Sequence, residues 1–468
     1  MSYTLCMKQK IVFRILLILS LIFPICPAFA ASKSMTCYQG ATFKRFNVIN
    51  SHCPAGWSST KPNMTPFTEG LGAQYTLAQA ASDQAQLSTI AFSGLAFITG
   101  NAGADTFMPP GKVADFFGFQ YMRDVDIAGY GHNTTYLSRV ANNVISILSS
   151  DQKNQLIALA KIQAPQYASF AYNRLPLINA FRRALINEIP SNSNGLSIET
   201  SAKYTASLYK TDAELSYNRA LTVGKIIRSF SDSQKAYLAK MTFNNFKSWP
   251  DVPENQEIKR GLTNPQYIAV MTYASELFSW YKGNLYADVY FCPERHGTYF
   301  GGFFMKDYPA MDNPNYFIST ALTGDIGAEF LKVLNPTQQA LITNIIKDQG
   351  ASLKEIIQIR TAVSTELRKA MIGDSLDKTW LFAQIQKYGE IDGKISALYA
   401  SRFAAVNQTL NQSQRDALNK LRNLTVVPKG VYNFSTLVPT PTFPNTDYFF
   451  GIGSIPATAG QLSAPTGF

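Results

Sequence analysis

The 468-residue chain has few of the residues that build catalytic and metal centres, with only three histidines and five cysteines. It has no C-x-x-C-H haem motif, no G-x-S-x-G nucleophile elbow, no H-E-x-x-H zinc motif and no phosphate-binding glycine loop. These absences exclude the protein classes that those motifs define. They favour a binding or structural role over an enzymatic one, and we expect neither a cofactor nor a resident metal.

Beyond its first 30 residues the chain also lacks long hydrophobic runs. No later stretch approaches the roughly 18 apolar residues that a membrane-spanning helix needs. At the N-terminus, three basic residues precede an apolar run that starts at Ile15, and residues 28–30 read as an A-x-A cleavage site. We interpret residues 1–30 as a bacterial-type signal peptide, with an uncleaved anchor as the alternative. The mature protein would be periplasmic or extracellular, without a transmembrane segment.

Charges of one sign do not accumulate in runs of five or six anywhere in the chain. The 42 Lys and Arg and 31 Asp and Glu give a net charge of +11, and loss of the three basic residues of the signal peptide leaves +8. A diffuse basic surface favours acidic partners. Because no nucleic-acid recognition motif is present, we expect envelope proteins or unfolded clients as partners and no nucleic acid.

Three cysteines remain after processing, namely Cys37, Cys53 and Cys292. In an oxidising compartment the natural pair is Cys37 with Cys53. Closing this ring should contribute about 3 kcal/mol to residues 31–72, a segment with little core of its own. The sequence around the two cysteines resembles a short Cys-bridged β module of secreted bacterial proteins, a resemblance that carries no activity.

Similar residues recur at a nearly constant offset along the rest of the chain. The matched pairs are Met122 with Met305, Asp124 with Asp307, Gln152 with Gln338, Gln163 with Gln349, Arg174 with Arg360, Arg182 with Arg368, and Asp212 with Asp392. This ordered series predicts a tandem duplication, with a first unit at residues 75–248 and a second at 262–427. A tail rich in proline and glycine, residues 428–468, should be extended or disordered and packed locally through residues 448–450.

One local pattern occurs twice in each unit: an apolar residue, Ser or Asn, two variable residues, then Gln. The four instances are residues 148–152 (LSSDQ), 230–234 (FSDSQ), 334–338 (LNPTQ) and 410–414 (LNQSQ). The Ser or Asn side chain can accept from a first-turn amide while the Gln reaches back to the cap amide, which is a capping box. Helical periodicity follows. We predict an all-α fold, with helices that begin after Ser149, Ser231, Asn335 and Asn411.

These four motifs resemble the repeated motif of the LTxxQ family of periplasmic helical proteins, the Spy and CpxP type. The resemblance implies an all-α cradle and a chaperone-like protein that binds other proteins. None of the four motifs has the Thr that the family carries at the second position. Four unrelated capping boxes would produce the same pattern.

A loop rich in glycine and aromatic residues precedes the first capping motif of each unit. In the second unit this loop adds a thiol, a carboxylate, a guanidinium and an imidazole: Cys292, Glu294, Arg295 and His296. The corresponding residues of the first unit are Pro109, Gly111, Lys112 and Val113. Any discrete site is therefore expected in the second loop. Its candidate binding residues are Glu294, Arg295, Tyr299, Phe300, Lys306 and Asp307.

Cys292 and His296 are the candidate catalytic residues, because they could meet as a thiolate–imidazolium pair. They could instead be two metal ligands, although two do not fill a tetrahedral site. Cys292 could also be a buried inert thiol or part of a mixed disulfide. The aromatic, glycine and Met residues that both loops share are equally what a packed loop requires.

Two pairs of arginines recur eight residues apart, Arg174 with Arg182 and Arg360 with Arg368. The simplest interpretation is a solvated helix face, and the alternative is an anion-binding site. The natural intramolecular partners would be the matched aspartates, Asp124 and Asp307.

These features together predict an exported binding or scaffold protein that acts through protein–protein contacts, by holding clients or by assembling an envelope complex. The alternative is a secreted enzyme, or a redox or metal-binding protein, that uses the loop containing Cys292 and His296.

The first testable prediction concerns processing. We expect the exported protein to begin at Ala31 and to contain a Cys37–Cys53 disulfide, because the cleavage signal and the cysteine spacing both indicate it. Intact-mass analysis and non-reducing peptide mapping measure both features. Recovery of Cys37 as a free thiol would contradict the disulfide, and a retained N-terminal segment would contradict the cleavage.

Overall fold

The structure is a computed structural model. It describes residues 33–39, 42–48, 53, 59, 77, 81–100, 106, 108, 113–117, 135–241, 248–283, 285, 289, 298–300, 320–422, 431–433 and 436–468. The all-α prediction is confirmed in these residues, where the only strands form two short antiparallel hairpins. None of the described helices is long and apolar enough to cross a membrane.

The described chain forms eleven α-helices. They are α1 (Asp83–Thr99), α2 (Thr135–Ile147), α3 (Ser150–Leu185), α4 (Ile198–Arg228), α5 (Asp232–Ala239), α6 (Gln256–Arg260), α7 (Asn264–Lys282), α8 (Thr320–Val333), α9 (Pro336–Arg368), α10 (Lys378–Thr409) and α11 (Gln412–Arg422). The hairpins are β1 (Lys33–Gln39) with β2 (Thr42–Val48), and β3 (Val431–Asn433) with β4 (Thr436–Val438).

The four predicted helix starts are confirmed. Ser149, Ser231 and Asn335 cap α3, α5 and α9 in complete capping boxes with the glutamine at N3. Asn411 makes the same two hydrogen bonds with its glutamine, at 2.9 and 3.1 Å, and α11 begins at the next residue. A fifth capping box at Thr263 starts α7. Its sequence, LTNPQ at residues 262–266, carries the Thr that the four predicted motifs lack.

The glutamines of the capping boxes also bind each other, which the sequence did not predict. The Gln234 side-chain amide donates to Gln152 Oε1 at 2.7 Å, and that of Gln414 donates to Gln338 Oε1 at 2.8 Å. Gln234 and Gln414 also donate to the last turn before α3 and α9, respectively. Each pair of capping boxes therefore joins the starts of a long helix and a short one.

The centre of the fold is the antiparallel contact between α4 and α10. Ser201 lies against Gly393 and Tyr209 lies against Gly389, so the two helices run in opposite directions. A Cβ atom on Gly389 would stand 2.5 Å from Tyr209 Cγ, and one on Gly393 would stand 2.7 Å from the Ser201 carbonyl oxygen. Glycine is required at both positions because the helices approach too closely for any side chain.

The first helix with described bounds in each predicted unit packs mainly against helices of the other predicted unit. Helix α1 contacts α8 and α9, whereas α7 contacts α2 and α3. The ends of α1 and α7 then make matched contacts. Arg182 donates to the Phe97 carbonyl oxygen at 2.7 Å, and Arg368 donates to the Trp280 carbonyl oxygen at 3.3 Å. The two contacts are alike, and the tandem duplication stays a prediction.

The predicted disulfide joins the N-terminal hairpin to Cys53, which follows β2 in the chain. Cys37 lies in β1 and is fully buried, and its sulfur is bonded to that of Cys53. The pairing of β1 with β2 agrees with the β module expected around these cysteines.

The second prediction concerns the cap of α5. Replacing Ser231 with Ala should lower the free energy of unfolding by about 1 kcal/mol, because the Gln234 amide loses its acceptor. Chemical denaturation measures this loss. Ser231→Asp is the control, since it keeps an acceptor oxygen at the N-cap and should be close to wild type. An Ala variant as stable as the Asp variant would contradict the role of the cap.

Candidate functional site

Most of the predicted site residues lie outside the described part of the chain. These are Cys292, Glu294, Arg295, His296, Lys306 and Asp307. The two described residues, Tyr299 and Phe300, are buried in a short 3-10 turn. The Phe300 ring stacks against Phe181 of α3 at 5.6 Å and against Tyr399 of α10 at 5.9 Å. Both residues thus contact the core, and a binding role for them stays a prediction.

Aromatic residues of the two loops are covered by arginines from the opposite predicted units. Arg360 of the second unit lies over the Phe116 ring at 4.6 Å, and Arg174 of the first unit lies over the Tyr299 ring at 5.1 Å. Both arginines are 1% exposed. The prediction that they form solvated helix faces is therefore wrong. Their aliphatic stems and planar guanidinium groups pack against the loop aromatics instead.

Arg360 also belongs to a buried ionic cluster. Its guanidinium donates to the Asp115 carboxylate at 2.7 Å and to the Asp115 carbonyl oxygen at 2.9 Å. Nearby, Asp212 accepts from the Ala114 amide at 3.3 Å and from the Ser216 hydroxyl at 3.0 Å. Burial and, to a smaller extent, the charge of Asp115 raise the pKa of Asp212 to about 6, against the two hydrogen bonds and the charge of Arg360, which lower it. Asp115, a residue adjacent to Phe116, was not among the predicted partners.

A second buried ion pair joins α4 to α7. Arg219 donates to the Glu276 carboxylate at 2.9 Å, and neither side chain is exposed to solvent. The guanidinium lies 4.7 Å from the centroid of the Tyr273 ring and also hydrogen-bonds the Tyr167 hydroxyl. Gln163 accepts from both tyrosines, at 2.8 and 2.7 Å. Burial raises the pKa of Tyr167 to about 12, so this phenol stays protonated.

The two buried ionic clusters have a structural role. Paired charges in a closed core fix the positions of loops and helices, because any shift would leave a charge unpaired. Among the described residues, the carboxylates of Asp115, Asp212 and Glu276 are all buried. Within the described residues, no three His, Cys, Asp or Glu side chains could hold a metal ion.

A more open candidate is the surface on which the C-terminal tail lies. The described tail, residues 436–468, has little regular structure but runs over α3 and α4. The Asn173 side-chain amide donates to the Leu462 carbonyl oxygen, and its own oxygen accepts from the Leu462 amide at 3.1 Å. Ser169 and Ser207 donate to the carbonyl oxygens of Leu462 and Ala459 at 2.6 and 3.2 Å.

The same surface buries aromatic residues of the tail. Phe449 is fully buried, with its ring 4.9 Å from that of Tyr204, and its carbonyl oxygen accepts from the Ser197 amide at 2.7 Å. Arg183 lies over the Phe450 ring at 4.9 Å. The tail is thus held by aromatic anchors and by side chains that bind its backbone. Local packing was predicted for residues 448–450, and the structure instead packs them against the distant helices α3 and α4. No sequence pattern identified Asn173 or Ser169.

Comparisons with known proteins assign no family to this chain. No protein-family model matches the chain, and no curated protein or solved structure is significantly similar to it. The resemblance to the LTxxQ family therefore remains a prediction.

The third prediction uses the raised pKa of Asp212. In the unfolded chain an aspartate has a pKa of about 3.9, so the folded protein holds this proton more tightly. The stabilising contribution is therefore complete below pH 4 and is lost as the pH rises to about 6. Asp212→Asn should raise the free energy of unfolding at pH 8 by up to about 3 kcal/mol, with little effect at pH 4.

Chemical denaturation at pH 4 and pH 8 measures both values. Asp374→Asn is the matched control, because Asp374 is exposed and its substitution should leave the pH dependence unchanged. A destabilised Asp212→Asn protein at pH 8 would show that the ionised carboxylate stabilises the fold.

Proposed function

We propose that this is an exported binding or scaffold protein of the bacterial envelope, which holds segments of other polypeptides against its helices. The observation that carries the proposal is the docked tail. Helix α3 binds the backbone of an irregular, proline-containing segment through Asn173 and Ser169. Side chains that bind backbone groups accept many sequences, because every residue except proline presents the same amide and carbonyl groups.

The aromatic contacts of the same surface supply the apolar part of such binding. Tyr204 and Arg183 form a surface that receives the aromatic rings of the tail. Aromatic anchors contribute most of the free energy in many protein interfaces. A client segment with an aromatic residue and accessible backbone would find the same contacts where the tail is displaced.

Three features of the sequence support the remaining parts of the proposal. The N-terminal 30 residues have the pattern of a signal peptide, which favours the envelope as the location. The fifth capping box has the full L-T-x-x-Q string, which supports kinship with periplasmic chaperones. The excess of basic residues favours acidic clients or partners.

The fourth prediction is that the mature protein suppresses aggregation of a reduced client protein, measured as lower light scattering at equimolar concentration. The substitution Phe449→Ala should strengthen the suppression severalfold. Phe449 is a fully buried anchor of the tail against Tyr204, so its loss shifts the tail towards release and uncovers the surface while the side chains of α3 and α4 that would bind a client are kept.

Asn218→Ala is the control for this experiment, because Asn218 lies on α4 and its side chain donates to Glu214 of the same helix, not to the tail, among the described residues. It should suppress aggregation as the wild type does. Unchanged client scattering with the wild-type protein, together with no crosslinked partner from native envelope, would contradict the proposed function.

A further inference from the structure

The α3–α4 corner, defined by residues 183–204, contacts side chains of the tail as well as its backbone. Arg183, in the last turn of α3, pairs with the Asp447 carboxylate at 2.8 Å, and both side chains are partly buried. The Arg183 guanidinium also donates to the Thr446 hydroxyl at 2.9 Å and lies over the Phe450 ring. One arginine thus contacts a hydroxyl, an acidic residue and an aromatic ring within five consecutive residues of the tail.

An aromatic anchor lies between these contacts. The Phe449 ring is fully buried and meets the Tyr204 ring edge-on, with 4.9 Å between the centroids. The Ser197 amide and the Ser193 hydroxyl donate to the carbonyl oxygens of Phe449 and Phe450, at 2.7 and 2.6 Å. Because these bonds fix two successive carbonyl groups, they also fix which side chain enters the core and which one meets the arginine.

The α3–α4 corner keeps its shape through contacts that do not involve the tail. The Tyr204 hydroxyl donates to the Asn173 carbonyl oxygen at 2.7 Å, which fixes its ring against α3. The Ser193 hydroxyl donates to the Gly195 carbonyl oxygen at 3.0 Å and accepts from the Gly195 amide at 3.1 Å. A site that is formed in advance binds its ligand at a lower cost in entropy. Release of the tail would therefore leave a formed site for another peptide.

The segment that the α3–α4 corner binds is short and has a distinct composition. Residues 448–450 are buried, whereas residues 451–454 are exposed. The corner therefore holds residues 446–450, TDYFF, in which an acidic residue precedes three aromatic ones. This composition complements the corner, since the acid meets Arg183 and the buried ring meets Tyr204. A segment of five residues is short enough to be presented by another polypeptide.

We propose that the α3–α4 corner recognises a partner polypeptide by an acidic residue that is followed, two and three positions later, by aromatic residues. The inference rests on the proposed function and specifies the class of client. The tail is the internal competitor of that client, at an effective concentration on the order of 1 mM, so only clients that bind better displace it. An exchange of tails between two copies would replace these contacts by identical ones, so a second copy offers no gain.

The fifth prediction tests the acidic subsite with a fluorescent peptide of residues 444–453, PNTDYFFGIG, and the full-length mature protein. Anisotropy should show that Phe449→Ala, whose tail is loosened, binds the peptide about tenfold or more tightly than the wild type. For Phe449→Ala, replacing the aspartate of the peptide with asparagine should weaken binding about fivefold, because the pair with Arg183 is lost. After a further Arg183→Ala substitution the two peptides should bind equally.

Lys369→Ala is the matched control, because Lys369 is the predicted counterpart of Arg183 in the second unit and pairs with the nearby Glu366 at 2.6 Å. Combined with Phe449→Ala, it should leave the preference for the aspartate peptide unchanged. Thermal unfolding verifies that each variant is folded. If Phe449→Ala does not fold, Asp447→Ala replaces it as the receptor, since it loosens the tail by removing only a partly exposed ion pair.

Equal binding of the aspartate and asparagine peptides to Phe449→Ala would overturn the proposal. Equal binding of the aspartate peptide to the wild type and Phe449→Ala would do the same, since the peptide would then bind elsewhere. Absence of binding would overturn it as well, while suppression of client aggregation would still uphold the general function. A concentration-dependent dimer of the wild type that Phe449→Ala abolishes would make a second copy the occupant and would also overturn it.

Discussion

The close approach of α4 and α10 determines the positions of the other elements. Side chains cannot enter this contact at Gly389 and Gly393, so backbone and side chains of α4 lie directly against α10. The two helices then place Asp212 and Arg219 towards one side, where they meet the loop at residues 113–117. The remaining helices pack around this pair. A larger residue at either glycine would separate the helices and with them both buried clusters.

The helix class and the four capped starts could be predicted because a capping box is local. Its donors and acceptors lie within four residues of each other, so the sequence contains the whole interaction. The mutual binding of Gln152 and Gln234 could not be predicted in the same way. Their positions relative to each other depend on the turn between α4 and α5, which brings residues 82 apart into contact.

The burial of the arginines and the order of the tail could not be predicted either, because both depend on partners that are distant in the sequence. A charged residue on a helix is usually solvated, and burial of Arg360 becomes favourable only when Asp115 arrives from a distant loop. Proline and glycine content predicted a tail that is extended or disordered, but its order comes from Asn173, 289 residues before Leu462. A contact between residues that are distant in the sequence produces no local sequence pattern. The candidate site loop was recognised only by comparing the two predicted units, and its polar residues lie outside the described chain.

The packing of α1 against helices that lie much later in the chain has a consequence for folding. Helix α1 is synthesised about 220 residues before α8, the helix that it packs against. Until α8 has been synthesised, the apolar side chains of α1, which include Ile90 and Leu95, cannot be buried against it. Most helical proteins fold rapidly because their contacts are local, and this one forms many of its contacts across the whole sequence. We therefore expect the nascent chain to expose apolar surface until α8 has been synthesised, and apolar surface exposed in this way favours aggregation.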